Sequence, residues 1–406
     1  KINGTAGVVA DTYSARPADT VEVTASAAST WTNSGAQVQL LSSNTTATQW
    51  TARLVNAQPV ATAMTLNASA GSGAVQNKSI TFNVAAGDAR NGSYKVYSAS
   101  GSRATLDLNF DVASYAMRAS NVGDVDLAGT FSEDASQAGT YLFASERIAS
   151  AVNTARFRVN GDTVVGAFSF PRLQTSPVTY PVSPFIASRA LETDPSKLDG
   201  IYNRLGINQS ASGDDSQITQ IQILNSGTLM KQCSNSIIYP ISTCPPASIT
   251  TYTIQAGTTP DTWQIASGSG AVAGSFAIAR QNGERIYLGA GKLNSTSTDT
   301  IARIGLPESP LWPSNQGWGS ATTGSWGSVD VQAANFTRFA ITPDGSAEDA
   351  AGTFAPLAVG PQGIRSTTVL GLNYFAVQGA GVSVVVGARN GGGNGHPGYM
   401  QINLMN

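Results

Sequence analysis

Side chains that commonly perform catalysis are scarce in this chain. Its 406 residues include one histidine, His396, and two cysteines, Cys233 and Cys244. The sequence contains no Gly-x-Ser-x-Gly elbow, no phosphate-binding loop and no His-Glu-x-x-His pair. A lone histidine offers no visible triad, and one histidine with two distant cysteines does not supply the four ligands of a structural zinc site. The residue types therefore favour binding or assembly over catalysis.

Three tryptophans form the strongest candidate binding site. Trp312, Trp318 and Trp326 lie in a stretch rich in Gly, Ser and Thr that also holds Asn315 and Gln316. Indole faces can pack on sugar rings or other planar apolar groups, while amide side chains hydrogen-bond to hydroxyls. The alternative is that the indoles plug the core, since Trp is usually well buried. The binding interpretation predicts that at least one indole is substantially exposed.

Short clusters of carboxylates could hold Ca²⁺, the only cofactor that the sequence brings into consideration. Asp344, Glu348 and Asp349 form the main set, and oxygen ligands of this kind bind Ca²⁺ in many extracellular domains. The alternative is that they are solvated turn residues, because Asp is favoured in turns. Two carboxylates on facing strands could instead catalyse glycoside hydrolysis if they stood ~5 to ~9.5 Å apart. The other acidic pairs are Asp124 with Asp126, Glu133 with Asp134, and Asp214 with Asp215.

A glycine-rich loop at Asn390–Gly398 contains the single histidine, His396. Its bare backbone amides could wrap a ligand or an anion. The favoured alternative is a connection between two strands, because most glycine-rich loops between strands only join them.

Composition excludes two classes of partner. Charged residues make up 12% of the chain, the net charge is −2 and Lys and Arg form no run, so we expect no nucleic-acid partner. No apolar run approaches the ~20 residues of a membrane-spanning helix. The surface must then be covered by Ser, Thr, Asn and Gln. We therefore expect the partner to be an extracellular polymer or glycan, or neighbouring copies of the protein.

The cysteines indicate an extracytoplasmic location. Cys233 and Cys244 lie in one short polar stretch, and such local pairs in low-charge chains are typical of secreted proteins with disulfides. Two free thiols are the alternative. The chain begins with Lys1, so we expect a mature chain that has lost a leader, although a truncated one would look the same. Secretion or display at the cell surface is the predicted localisation.

The elements that must position these residues are strands. Apolar and polar residues alternate with period two, and turn residues bound each short run. The predicted fold class is all-β, with several antiparallel β-sandwich or β-barrel-like domains in tandem and very little helix. One helical turn is expected after Asp194, with Pro195 at its first position. The predicted domains are 1–115, 116–195, 196–306 with the disulfide, and 307–406.

Two recurrences indicate internal repetition. Three hairpins combine apolar strands with a glycine turn, at Asn160-Gly161, Asn282-Gly283 and Gln378-Gly379, and each continues to a Gly-Ala pair. A Gly-x-aromatic motif also recurs about every 75 residues. Its copies begin at Gly129, Gly200, Gly274 and Gly352.

The sequence as a whole predicts a non-catalytic secreted or cell-surface protein. Its role would be adhesion, binding of a polymer or ligand, or extracellular assembly. The alternative is a secreted carbohydrate-active hydrolase that uses paired carboxylates and a Trp-lined cleft.

Overall fold

Strands make up nearly all the regular structure. The computed structural model describes residues 1–5, 10–34, 38–40, 46–56, 60–70, 77–120, 126–148, 151–234, 237–259, 261–292, 298–389 and 394–406. In these ranges, helix is confined to two three-residue 3₁₀ turns, Pro195–Lys197 and Pro246–Ser248. The prediction of an all-β fold with very little helix is confirmed.

The chain divides into two compact units. The first is Lys1–Ser93 with Asp107–Tyr115, and the second is Tyr94–Leu106 with Ala116–Asn406. The predicted domain boundaries remain predictions, but the strands regroup into a new sheet after Val84, Ser188 and Pro307.

The first unit contains a six-stranded sheet in the order β1-β6-β5-β2-β4-β3. The strands are β1 (Thr12–Ala15), β2 (Thr20–Asn33), β3 (Val38–Leu40), β4 (Thr46–Leu54), β5 (Thr62–Ala70) and β6 (Asn77–Val84). Only the β1–β6 pair is parallel among the described strand pairs of this sheet. Because side chains alternate across a strand, one face collects a core that includes Trp31, Trp50 and Phe82.

Eight consecutive strands close into barrel 1, because β14 pairs with β7. The strands are β7 (Gly92–Ser98), β8 (Arg103–Asn109), β9 (Ser114–Ala119), β10 (Leu127–Glu133), β11 (Tyr141–Phe143), β12 (Arg156–Asn160), β13 (Thr163–Ser169) and β14 (Val182–Ser188). Aromatic rings fill its interior. The ring centroid of Phe143 lies 4.5 Å from that of Phe157 and 5.1 Å from that of Phe168.

Barrel 2 repeats this up-and-down order and closes by pairing β15 with β22. The strands are β15 (Gly200–Gln209), β16 (Asp215–Leu224), β17 (Leu229–Cys233), β18 (Ile249–Ala256), β19 (Trp263–Ala266), β20 (Val272–Gln281), β21 (Glu284–Lys292) and β22 (Thr300–Pro307). Its interior is packed by a cluster that includes Trp263, Phe276 and Tyr287. The rings of Phe276 and Tyr287 stack with centroids 4.8 Å apart.

The last nine strands form the C-terminal sheet, which curls almost closed. The strands are β23 (Asn315–Ala321), β24 (Trp326–Gln332), β25 (Asn335–Ile341), β26 (Ala350–Thr353), β27 (Ala355–Pro356), β28 (Arg365–Val369), β29 (Leu372–Gly379), β30 (Val382–Gly387) and β31 (Met400–Met405). Its two edges, β26 and β27, are consecutive in the chain and separated only by Phe354. The sheet therefore wraps around one interior, with the buried Phe354 at the seam.

The outer faces of the two barrels and the C-terminal sheet share one hydrophobic core. Its members include Val165 and Ile186 from barrel 1, Leu288 and Leu306 from barrel 2, and Val384 and Ile402 from the C-terminal sheet. Strands such as β30 are buried on both faces for this reason. The described parts of the second unit thus share one core and are not independent domains.

The hairpin recurrence corresponds to a structural repeat. The three hairpins are β12–β13 in barrel 1, β20–β21 in barrel 2 and β29–β30 in the C-terminal sheet. Each one joins the sixth and seventh strands of its own sheet, counted in chain order with β26 and β27 taken as one bent strand. The third turn is Ala380-Gly381 rather than the predicted Gln378-Gly379. Both turn residues have positive φ, and the strand simply runs two residues further before it turns.

The Gly-x-aromatic recurrence does not correspond to a repeat. Its copies fall on the fourth strand of barrel 1, the first and sixth strands of barrel 2 and the fourth strand of the C-terminal sheet. The four copies do not all occupy equivalent strands, so the regular spacing does not mark a repeated structural unit.

Two local predictions are confirmed. Cys233 and Cys244 form a disulfide with Cα atoms 6.1 Å apart. The side chain of Asp194 accepts a hydrogen bond from the Ser196 amide and caps the turn that begins at Pro195. Within the described part of the chain, no helix has the length and apolar character needed to cross a membrane.

Candidate functional site

The interior of the C-terminal sheet contains a cavity of about 210 Å³. Alternation along the strands directs one set of side chains into it, and much of that set is apolar. The apolar lining comprises Val329, Val331, Phe336, Ala350, Phe354, Val369 and Val385. A protein cavity of roughly 150 Å³ accommodates benzene. This cavity is therefore large enough for a ring with a short substituent.

An ion pair between the buried Arg338 and the partly buried Glu348 forms one wall of the cavity. Arg338 is 4% exposed, and its Nη1 donates to Glu348 Oε1 at 2.6 Å and to the Glu348 carbonyl at 3.0 Å. Its Nη2 donates to Ser325 Oγ at 2.7 Å, and Ser325 Oγ donates to the same Oε1 at 3.2 Å. A buried charge is costly unless it is paired and hydrogen-bonded. The bonds to Glu348 and Ser325 therefore compensate the buried charge of Arg338 and hold the three side chains in place.

The histidine and two tyrosines form the polar lining next to this ion pair. Nδ1 of His396 lies 2.9 Å from the Tyr374 hydroxyl in a hydrogen bond, and the His396 and Tyr399 rings lie 5.0 Å apart. Burial lowers the pKa of His396, and Glu348 opposes this only in part. The imidazole is therefore neutral at neutral pH. Burial also raises the pKa values of Tyr374 and Tyr399.

A hydrogen-bonded row of side chains runs from Tyr399 along β31, and two of its members, Tyr399 and Gln401, line the cavity. The Tyr399 hydroxyl donates to Gln401 Oε1 at 3.0 Å, and Gln401 Nε2 donates to Asn403 Oδ1 at 2.8 Å. All three side chains are buried. Such a row holds each side chain in one orientation, so the cavity presents a fixed set of polar atoms.

The mouth of the cavity carries an exposed and strained leucine. Leu370 is 94% exposed and lies with Gly371 in the two-residue turn between β28 and β29. Leu370 has φ +50° and Gly371 has φ +81°, a combination that favours Asn-Gly. A bulky L-residue in this region is uncommon, and such strain clusters at functional positions. The exposed Asp349 also lines the cavity.

The three tryptophans do not form one platform. Trp312 is buried on the inner side, where its ring lies 5.2 Å from Phe354. Trp318 and Trp326 lie on the opposite face, because they share the phase of the strands that points outward. Trp326 is 1% exposed and donates to Gln137 Oε1 at 3.1 Å.

Trp318 is the most exposed of the three indoles, but only in part. The Arg158 guanidinium lies 5.0 Å from its ring centroid. This falls short of the substantial exposure that the binding interpretation predicted. Trp312 packs in the core, Trp318 and Trp326 contact residues of barrel 1, and none of the three lines the cavity.

Asn315 and Gln316 also lie away from the cavity. The amide of Asn315, in its favourable orientation, donates to the carbonyls of Ser314 and Asn406. Gln316 is exposed and donates to Asp330 at 3.4 Å. Their hydrogen bonds are to their own sheet and its C-terminus.

The structure does not gather the predicted calcium ligands. Asp344 accepts hydrogen bonds from Thr342 and Ser346 in a tight turn, and these bonds lower its pKa. Asp349 accepts from the Ala340 amide, whereas Glu348 pairs with Arg338. Within the described residues, no three His, Cys, Asp or Glu side chains are placed to hold a metal ion. Only Glu348 and Asp349 of the predicted set meet, at the cavity.

The remaining acidic residues also have local partners. Asp134 pairs with Arg156, Asp214 with Arg172 and Asp215 with Arg389, whereas Asp126 and Glu133 accept backbone amides. Asp124 lies outside the described residues.

Residues 390–393 of the glycine-rich loop also lie outside the described residues. The loop joins β30 to β31, as the favoured alternative predicted, but its His396 reaches the cavity.

Sequence reasoning missed Arg338, Tyr374, Tyr399 and Gln401. One signal was available for Arg338, which shares its strand phase with Phe336 and Ala340. A charged residue in the apolar phase of a strand indicates a buried, paired charge.

No family model, no curated protein and no solved structure matches this chain.

Proposed function

We propose that this chain is a non-catalytic binding protein that holds a small amphipathic molecule inside the C-terminal sheet. The carrying observation is the cavity, which is apolar on one side and lined on the other by Glu348, Tyr374 and His396. Binding sites for small molecules have this composition, with mostly apolar walls and a few fixed polar groups.

The two barrels of the same unit provide an internal comparison. Their interiors are filled by rings in mutual contact, such as Phe143 with Phe157 and Phe276 with Tyr287. The C-terminal sheet has the same strand order and also encloses rings in contact, such as Phe336 and Phe354 with centroids 4.4 Å apart. It also directs smaller side chains such as Val329, Val331 and Val385 inward, and these line the cavity. A cavity lowers stability. A repeat that retains one is therefore the natural place for a ligand.

The alternative function, a carbohydrate-active hydrolase, finds less support. Two carboxylates do line the cavity, but Glu348 and Asp349 are adjacent in the chain rather than on facing strands. Glu348 is held by Arg338, and Asp349 accepts a backbone amide. Glycoside hydrolysis needs two carboxyl groups on either side of the scissile bond.

The setting that we propose is extracytoplasmic, either secreted or at the cell surface. The Cys233–Cys244 disulfide supports it, because such bonds persist in oxidising compartments. Adhesion and assembly would fit the same chain if the bound molecule were the end group of a polymer or glycan, or a group on a neighbouring copy.

Titration with indole tests the proposed function. We expect the methyl resonances of Val329, Val331 and Val385 to shift in the full chain on addition of indole. Thr367→Phe should abolish the shift, because Thr367 is buried and lines the cavity. Thr368→Phe is the matched control, since Thr368 is exposed on the other face of β28. If indole leaves the methyl resonances unchanged, or if both variants behave alike, the cavity is not a binding site.

A further inference from the structure

We infer that the molecule held in the C-terminal cavity is a small organic ammonium ion, with its charge at Glu348 and an apolar ring or chain among the valines and phenylalanines. This inference rests on the proposed function and specifies the class of ligand.

The charges of the lining favour a cation. The lining contains one cationic side chain, Arg338, and two carboxylates, Glu348 and Asp349. His396 adds no positive charge at neutral pH, because burial lowers its pKa. A neutral ligand would leave this imbalance in place, and an anion would increase it. An ammonium group neutralises it inside a partly buried site, where opposite charges attract more strongly than in water.

The hydrogen bonds of the ion pair point the same way. Arg338 already uses three of its five N–H donors on Glu348 and Ser325, and Glu348 offsets its charge, so it attracts an anionic ligand less than an unpaired arginine would. On Glu348, the bonds from Arg338 and Ser325 both fall on Oε1. Its second oxygen, Oε2, takes neither of these bonds, although the Tyr399 hydroxyl also lies within reach of this carboxylate. Oε2 is therefore the better placed of the two to accept a further hydrogen bond, and a carboxylate bonds strongly to an ammonium donor.

The aromatic lining suits the same group. Tyr374, His396 and Tyr399 form a contiguous set, with ring centroids between 5.0 and 5.7 Å apart. Aromatic faces attract ammonium groups through their quadrupole. Glu348 acts on both tyrosines and on the histidine electrostatically, so the carboxylate and the rings belong to one site.

The volume limits the ligand to a small molecule. A cavity of about 210 Å³ compares with roughly 150 Å³ for a cavity that binds benzene, so one ring with a substituent of two or three non-hydrogen atoms fits. Benzylamine, benzyl alcohol and benzoate have this size and differ mainly in charge.

Calorimetric titration of the full chain with these three probes tests the inference. We expect benzylamine to bind about tenfold more tightly than benzyl alcohol, and benzoate to bind least. Glu348→Gln should remove most of this preference, because the amide keeps the shape but loses the charge. Asp344→Asn is the matched control, as it removes an exposed carboxylate from the same segment that does not line the cavity. Retained indole binding by the Glu348→Gln variant would show that its cavity is intact.

The outcomes separate the two proposals. If benzyl alcohol or benzoate binds as tightly as benzylamine, or if Glu348→Gln keeps the preference, the ammonium inference is overturned and the proposed binding function stands. If indole does not shift the cavity methyl resonances, the proposed function falls, and the ammonium inference that rests on it falls as well.

Discussion

At the scale of single residues, the cavity combines two features that reduce stability. Arg338 is buried as one member of an ion pair, and Leu370 adopts a backbone conformation that disfavours L-residues. Replacing a buried ion pair with apolar groups is often neutral or stabilising. Both features lie beside one cavity, where strained or charged groups commonly serve a binding site.

We predict that Leu370→Asn stabilises the protein by about 1 kcal/mol, because Asn tolerates the left-handed region far better than Leu. The free energy of unfolding in urea measures the effect. Thr368→Asn on the neighbouring strand provides the control, since it should bring no such gain. An unchanged or lower free energy for Leu370→Asn would show that the turn is not strained.

We also predict that His396 makes the protein less stable in weak acid. Its pKa is lowered from 6.5 in the folded state, mainly by burial. Well above pH 6.5, the imidazole is neutral in both the folded and the unfolded chain. As the pH falls below 6.5, the unfolded chain takes up a proton on His396 before the folded chain does. The free energy of unfolding must then fall as the pH drops from 6.5 towards the lower folded value. Because the chain has one histidine, His396→Phe should flatten the stability profile just below the ordinary histidine pKa of 6.5. A profile that keeps its slope in the variant would rule out this origin.

At the scale of elements, the disulfide closes a poorly paired segment. Cys233 ends β17, and the next strand, β18, begins only at Ile249. The bond ties down part of this connection. Cys244 and Ile241 pack with Cys233 in a small apolar cluster of their own.

We predict that replacing both Cys233 and Cys244 with Ala lowers the free energy of unfolding by about 3 kcal/mol, from the entropy of a loop with sequence separation 11. Denaturant unfolding with and without a reductant measures this. The reductant should destabilise the native chain and leave the double variant unchanged. Equal stability of native and double-variant chains would show that the bond is dispensable.

At the scale of the whole molecule, the shared core implies that the second unit unfolds cooperatively. Leu306 lies fully buried on the outer face of barrel 2. We predict that Leu306→Ala costs ~2–5 kcal/mol and weakens hydrogen-exchange protection in β13 and β30 as much as in β22. Val272→Ala, at a residue of barrel 2 that is 56% exposed, should change little. Loss of protection confined to barrel 2 would mean that the barrels are independent.

The sequence by itself determined what local chemistry controls. Period-two alternation defined strands such as β6, and Asn282-Gly283 defined a tight hairpin, because side-chain phase and turn conformation depend on neighbouring residues. The disulfide and the cap at Asp194 were predictable for the same reason, since their partners lie close in the chain. Of the site, the sequence singled out Glu348, Asp349 and His396, but as parts of separate clusters.

Only the tertiary structure decided which of these residues meet. Arg338 and His396 lie on different strands and loops and share a cavity because the C-terminal sheet curls closed at Phe354. The tryptophans, which looked like one site, were divided between two faces by strand phase. A cavity is the difference between the space that a folded sheet encloses and the volume of the side chains that enter it. That difference depends on strands far apart in the chain, so no local pattern in the sequence could reveal it.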